Sequence, residues 1–314
     1  MKRFALIGAG GYIAPRHLEA IRRTGHTLAA ALDKSDSVGI LDSFFPDAEF
    51  FTEFERFDRH LEKLRRRQGQ AVDYVSICSP NYLHDAHVRF ALRIGADAIC
   101  EKPLVLNPWN VTALEEMAAE TGKKIYTIMQ LRLHPSILAL KQRVENAAAD
   151  KVFDIDLTYI TSRGNWYMVS WKGDENKSGG IATNIGIHFF DMLTWVFGPV
   201  QQNIVHLYEP RRAAGYLQLQ RGRVRWFLSL ERKDLAAAQV KVEQTTVRSV
   251  RIDGEEIEFS GGFEDLHTQS YREILAGRGF GPKDVLPSTE IVAAIRNAKP
   301  IARTPQAHPI LSRI

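Results

Sequence analysis

The chain is poor in the features that mark a special environment. Its 314 residues include two cysteines, Cys78 and Cys100. One pair cannot make the disulfide framework of a small secreted scaffold, so a reducing cytoplasm is expected. Neither thiol stands in a ligand motif, and no metal is expected. No apolar run approaches the roughly 20 residues that a membrane span requires. The opening "MKRFALIGAGG" enters a glycine loop rather than a cleavage site, so it is not read as a signal peptide. Charge is nearly balanced, with 41 Lys and Arg against 37 Asp and Glu, a net +4. The densest basic cluster, "EKLRRRQG" at 62–69, lacks interleaved aromatics. It reads as a solvated helix face, with anion binding as the alternative; nucleic acid is not indicated. Repeats and low-complexity segments are also missing. What remains is 45% hydrophobic and 25% charged, with enough length for two globular domains.

The first part alternates strand and helix patterns. "RFALIGAG", "HTLAAALDKS", "AVDYVSICSPN", "ADAICEKP" and "KKIYTIMQLR" read as short apolar strands. Between them lie the helical patterns "PRHLEAIRRTG", "FDRHLEKLRRRQG", "LHDAHVRFALRIG" and "PWNVTALEEMAAETG". That alternation predicts βαβ units and a parallel sheet buried on both faces. After about residue 135 a helix, "ILALKQRVENA", precedes the alternating "VFDIDLTYITSRG", and a helix over "NIGIHFFDMLTWVFG" precedes "QNIVHLYE", "AAGYLQLQRG", "RVRWFLSLER", "TTVRSVRIDG" and "EEIEFSGG". The expected fold class is α/β: an N-terminal Rossmann-type doubly wound domain over 1–132, then an α+β domain over 133–314. The second is built on a large, mostly antiparallel open sheet. The tail patterns "LHTQSYREILAGRG" and "STEIVAAIRNA" return to helix, and the last, about 287–298, is expected to pack back on the first domain. A broad apolar sheet face suggests oligomerisation sheet to sheet. Ligands are expected at the carboxyl ends of the parallel strands.

"LIGAGGYIAPRH" is a glycine loop between a strand and a helix. Glycine there lets the backbone turn tightly and approach a pyrophosphate seated on the helix N-terminus. With Gly8 and Gly10 as the first two glycines, Ile13 takes the third place; counting to Ala14 instead puts Ala9 first. A loop one residue longer than usual reconciles the two, bringing in Gly11 and Tyr12. Asp33 follows the second strand about 20 residues on, where a carboxylate accepts from ribose hydroxyls and repels a 2′-phosphate. NAD is therefore the expected cofactor. A plain strand–helix turn and a surface aspartate are the bland alternatives.

These features, followed by "SPNYLH" (79–84), "EKP" (101–103) and "GGIATNIGIHFFD" (179–191), resemble the family of glucose–fructose oxidoreductase and inositol dehydrogenase over nearly the whole chain. "YIAPRHL", "YVSICSPNYLH", "MQLRLHP", "LTYITSRGNWY", "SWKGD" and "EDLHTQSY" are similar to one group within it. That group is the bacterial dehydrogenases that oxidise the 3-hydroxyl of UDP-2-acetamido-2-deoxy-D-glucuronate, on the way to the diacetamido uronic acids of surface polysaccharide such as O-antigen. The resemblance implies a cytoplasmic tetramer acting on a UDP-sugar, with 2-oxoglutarate as a candidate oxidant for bound NADH. It also implies that Ser79, Pro80, Asn81 and His84 pass along the cofactor, that Glu101 and Lys102 face the nicotinamide and its ribose, and that Gln130 rests beside the ring. Relatives often carry an aspartate four residues before the motif histidine; here that position is Asn184, which can orient a sugar but cannot act as a base.

Alcohol oxidation needs a base for the hydroxyl proton, and the resemblance assigns Lys102 and His188 to share it. Histidine titrates near neutrality unaided, whereas lysine needs burial or a nearby cation. An exposed strand-end lysine and a core histidine are the plain readings. Asp191 is given no catalytic role. In "TSRGNWYMVSWKG" (161–173), Arg163, Asn165, Trp166, Tyr167 and Lys172 are candidates for phosphate, uracil and sugar contacts. A packed loop or subunit interface explains the aromatics nearly as well. His267, Thr268 and Tyr271 are candidate sugar or uridine contacts, with helix packing as the alternative, and Arg132 and His134 are candidates for the sugar rim. Competing functions are another sugar or inositol dehydrogenase, an NAD-assisted glycosidase, or a non-catalytic NAD-binding regulator.

Overall fold

The computed structural model describes residues 1–238, 245–258 and 261–314. The chain divides into two compact units, Met1–Gln130 with Glu264–Leu286, and Leu131–Phe263 with Pro287–Ile314.

The first unit holds six parallel strands: β1 (Arg3–Ile7), β2 (Thr27–Leu32), β3 (Glu49–Phe51), β4 (Tyr74–Ile77), β5 (Asp97–Cys100) and β6 (Ile125–Thr127). Their order is β3-β2-β1-β4-β5-β6. The chain leaves β1 first to one side and then to the other, so the crevice at the carboxyl ends of β1 and β4 is the switch point of a doubly wound sheet. Successive side chains of a strand point to opposite faces, and here both faces are covered. Ala5, Ile7, Val75, Ile77, Ala98 and Cys100 meet Phe57, Leu61, Val88, Val111 and Leu114 from helices on one side. Phe4, Leu6 and Ile99 meet Leu18, Ile21, Tyr271 and Ile274 on the other. The expected strands and helices are all present. β3 was not anticipated, because three residues at a sheet edge, one of them Glu49, carry no pattern.

The second unit holds β7 (Phe153–Thr161), β8 (Val200–Glu209), β9 (Arg212–Leu219), β10 (Gly222–Ser229), β11 (Thr246–Ile252) and β12 (Glu255–Glu256). Their order is β12-β11-β7-β10-β9-β8. The sheet is mostly antiparallel, as expected, with one parallel pair at its centre where β10 lies along β7. The strand pattern over 255–262 extends onto Phe259 and Ser260, which lie outside the described residues.

Two expectations change. The segment that rejoins the first unit is Glu264–Leu286, not 287–298. Tyr271 and Ile274 enter the first unit's core, whereas Ile291, Val292 and Ile295 enter the second's. Both stretches are amphipathic, and a helical period does not say which sheet it will cover. The apolar face of the second sheet is also not free. Leu157, Trp226, Leu228 and Val250 pack under Ile137, Leu140, Phe190 and Leu193 from helices. The opposite face pairs charges in register, Arg223 with Asp154 at 2.7 Å and Arg225 with Asp156 at 2.5 Å. Ile160, Ala214, Phe227 and Val247 on that face pack with Ile310 and Leu311 from near the C-terminus.

Candidate functional site

In the first unit the glycine loop leaves β1 with Gly8 at φ +93°, a left-handed conformation that favours glycine. A Cβ on Gly8 would lie 2.7 Å from the backbone of Cys78, so the loops after β1 and β4 touch main chain to main chain. The next helix, Ala14–Arg23, begins without a side-chain cap at Ile13 and with Pro15 in its first turn. In that turn the N–H groups of Ala14 and Arg16 donate to the carbonyls of Gly11 and Ile13 at 3.1 and 3.0 Å. Asp33, at the end of β2, turns its carboxylate back into this loop. One oxygen accepts from Gly10 N–H at 2.9 Å and the other from Ser35 N–H at 2.9 Å. Such a carboxylate is fixed and still has lone pairs for ribose hydroxyls. Tyr12 is 98% exposed beside the loop.

The loop after β4 carries Ser79, Pro80 and Asn81; Ser79 and Asn81 are buried, and Ser79 Oγ lies 2.8 Å from His87 Nδ1. His84 departs from its expected role. It is fully buried, and its ring nitrogens face the carbonyls of Pro103 (2.6 Å) and Ser79 (2.8 Å). The ring is a strut between the loops after β4 and β5, with no nitrogen left for a cofactor. Gln130, just beyond β6, holds a buried Oε1 with no hydrogen-bond partner among the described residues. That orphaned acceptor suits an amide N–H donor.

Glu101 also departs from expectation. Its carboxylate turns into the unit rather than toward a ribose: Oε1 accepts from His17 Nε2 at 3.0 Å and from His267 Nε2 at 2.9 Å, and Oε2 accepts from Lys102 N–H at 3.2 Å. Behind them His17 Nδ1 lies 2.8 Å from the Tyr271 hydroxyl, which lies 2.6 Å from Ser76 Oγ. Burial pushes the Glu101 carboxyl up, but the two imidazole hydrogen bonds outweigh it and hold the group well below the usual range. Burial in turn lowers the His17 imidazole. His267, Thr268 and Tyr271, expected beside a sugar or uridine, are buried in the first unit on the helix Leu266–Leu275. His17 was not anticipated; a lone histidine among apolar helix positions gives no signal of a distant carboxylate. His17, Glu101 and His267 bring three ligand atoms within 4.8 Å of one another. Hydrogen bonding already accounts for their placement without a cation.

The second unit gathers the other candidates. Gly179 and Gly180 both take positive φ, +80° and +75°, which explains the glycine pair of the motif. The chain then makes a π-helical turn, Ala182–Gly186, before the helix Ile187–Phe197. Such turns re-aim side chains and are common at functional sites. Asn184 sits in this turn, its amide donating to the Tyr167 hydroxyl at 2.6 Å. His188 is half-buried in the first turn of the helix that follows, so it is not a sealed core histidine. Arg163, Asn165 and Trp166 are exposed, Trp166 by 57%. Lys172 lies over the Trp171 ring at 4.5 Å and the Trp166 ring at 5.8 Å. Burial, and then Arg163, pull the Lys172 ammonium down from its ordinary value. Two cations crowd here with no ion pair to a carboxylate for either among the described residues, an arrangement that suits an anionic ligand. Arg132 and His134 are committed elsewhere. Arg132 makes a bidentate pair with Asp191 at 2.7 and 2.8 Å, and His134 caps the helix Pro135–Asn146 while facing Gly261 O at 2.8 Å.

Comparison with known proteins identifies this architecture. A family model described as an oxidoreductase family with an NAD-binding Rossmann fold matches residues 2–129, and its companion C-terminal alpha/beta domain matches 141–232. The chain belongs to this GFO/IDH/MocA oxidoreductase family. The WlbA (WbpB) dehydrogenase of Thermus thermophilus, solved with NAD and UDP-GlcNAcA, is 51% identical over 98% of this chain and 99% of its own, with a TM-score of 0.94. The same enzyme solved with NAD and alpha-ketoglutarate superposes with a TM-score of 0.93. The glucose-6-phosphate 3-dehydrogenase of Bacillus subtilis is 23% identical over 206 residues, 63% of this chain, and the match spans about half, 54%, of that curated relative. The glycine loop, the Asp33 carboxylate and the Gln130 acceptor fit the NAD that the family binds. Among the described residues, no helix is long and apolar enough to cross a membrane.

Proposed function

We propose that the chain is an NAD-dependent dehydrogenase that oxidises the 3-hydroxyl of UDP-2-acetamido-2-deoxy-D-glucuronate to the 3-keto sugar. The observation that carries this reading is the likeness at 51% identity, over nearly the full length of both chains, to an enzyme whose structure holds NAD and UDP-GlcNAcA. The backbone of Gly10, Gly11, Tyr12 and Ile13 and the carboxylate of Asp33 would hold the dinucleotide, with Ser79, Pro80, Asn81, Lys102 and Gln130 along it. When bound, NAD⁺ supplies the hydride acceptor. Lys102 and His188 carry the acid–base work on the hydroxyl proton. Asn184, fixed by Tyr167, orients the sugar, and Arg163 and Lys172 recognise its negative charge, with Asn165 and Trp166 bordering the ligand.

The wider setting we assign is synthesis of diacetamido uronic acids for surface polysaccharide such as O-antigen, in the cytoplasm, by a homotetramer that regenerates NAD⁺ with 2-oxoglutarate. The family resemblance and the neighbour bound to alpha-ketoglutarate support these points. The test is a single-turnover spectrum of the protein with excess NAD⁺ and the UDP-uronic acid. Reduced-nicotinamide absorbance is expected with this sugar and not with UDP-N-acetylglucosamine. No absorbance, despite measured NAD⁺ binding, overturns the substrate assignment.

A further inference from the structure

Glu101 sits one residue before Lys102 at the carboxyl end of β5, and its carboxylate meets two imidazoles, His17 at 3.0 Å and His267 at 2.9 Å. The hydrogen bonds run in one consistent direction when both rings are neutral. Ser76 donates to Tyr271, Tyr271 to His17 Nδ1, and the two Nε2–H groups to Glu101. In that state the cluster carries one negative charge. A second state needs little rearrangement. With a proton on His17 Nδ1, the Tyr271 hydroxyl turns to donate to Ser76 and accepts from the imidazolium; every contact survives and the cluster becomes neutral. Of the other titratable groups around it, burial pushes the thiols of Cys78, beyond β4, and Cys100, on β5, well up and keeps them protonated, and burial lowers the His84 imidazole, which also feels Glu101 and Lys102. Lys102, on the same strand end, contributes its backbone N–H to Glu101.

We propose that the His17–Glu101–His267 cluster is a proton-binding site that balances the charge of the nicotinamide, remaining anionic with the oxidised cofactor and taking up one proton with the reduced one. The proposal rests on the NAD reading of the first unit and not on the choice of sugar. A buried anion is tolerated beside a cationic ring; once the ring is neutral, that compensation is gone and the His17 imidazole, which burial holds down, gains basicity. During turnover the balance closes. The alcohol loses a hydride to NAD⁺ and a proton, giving ketone and NADH, and the cluster gains one proton, so the buried charge is unchanged.

The experiment is calorimetric titration of the full chain with NAD⁺ and with NADH, in buffers of different ionisation enthalpy, between pH 6 and 8. NADH is expected to bring up to one more proton per site than NAD⁺. The ratio Kd(NADH)/Kd(NAD⁺) should then fall by up to tenfold per pH unit as the solution is acidified, because protons favour the state that NADH favours. Glu101→Gln should remove both effects. Should that variant fail to fold, the double variant His17→Gln/His267→Gln keeps amide donors toward Glu101 without titrating, and it should remove them as well. Equal proton counts for the two nucleotides in the wild type overturn the proposal, as does a difference that persists in the double variant. Absence of binding by either nucleotide overturns the cofactor reading, whereas failure of the sugar assignment leaves this measurement untouched.

Discussion

Removing the Asp191 carboxylate tests what holds the helix that carries His188. Arg132 is 5% exposed and Asp191 1%, and two hydrogen bonds of 2.7 and 2.8 Å join them, with Ser288 Oγ 3.4 Å from the same carboxylate. Asp191→Ala leaves a buried guanidinium without its bidentate partner, and breaking a buried pair from one side costs about 3–5 kcal/mol. With a urea slope of about 2 kcal/mol per M, the midpoint should fall by roughly 2 M. Equilibrium denaturation read through tryptophan fluorescence measures it, since Trp195 lies on the same helix. The double variant Arg132→Met/Asp191→Leu should regain most of the loss, because an apolar pair pays no desolvation. Two results would refute the reasoning: an Asp191→Ala midpoint within about 0.3 M of wild type, or a double variant as unstable as the single one.

Asp33→Ser removes the charged acceptor for Gly10 N–H and for the ribose. Hydrogen bonds to a charged group are each worth about 1.5–3 kcal/mol, so NAD⁺ affinity should drop at least tenfold while the preference over NADP⁺ narrows. Unchanged NAD⁺ affinity by fluorescence titration would remove Asp33 from the site. Gly215→Ala on β9 places a methyl 2.6 Å from the Trp226 ring and against the carbonyl of Ile204. Overpacking between a main chain and a fully buried indole should cost about 3 kcal/mol, and a thermal midpoint equal to wild type would contradict that packing.

Legibility in the sequence followed the distance between interacting residues. Apart from β3, the strands of the first unit are readable because each is a short apolar run closed by turn residues, and burial on both faces is written along it. The glycine loop and Asp33 were readable for the same reason, since a local backbone need selects the residue type. His84 was placed in the right loop but given the wrong partner; only the fold brings Pro103 O to its ring. The Glu101 cluster was invisible, because His17 and His267 lie 84 and 166 residues from Glu101 in sequence. Each imidazole looks, in its own helix, like an ordinary residue. The helix of His267 belongs to the first unit for an equally distant reason: Tyr271 and Ile274 find Phe4 and Leu18.

Distance also governs the end of β5. "CEKP" reads as two functional groups side by side, a carboxylate and an ammonium meant for one ligand. β5 ends at Cys100, and in the turn beyond it the Glu101 carboxylate takes the inward direction, toward His17 and His267. Its tie to the Lys102 N–H makes the carboxylate a fixture of the backbone that presents the lysine. On this view Glu101→Gln should disturb proton linkage and the position of Lys102 more than it disturbs contact with a ribose.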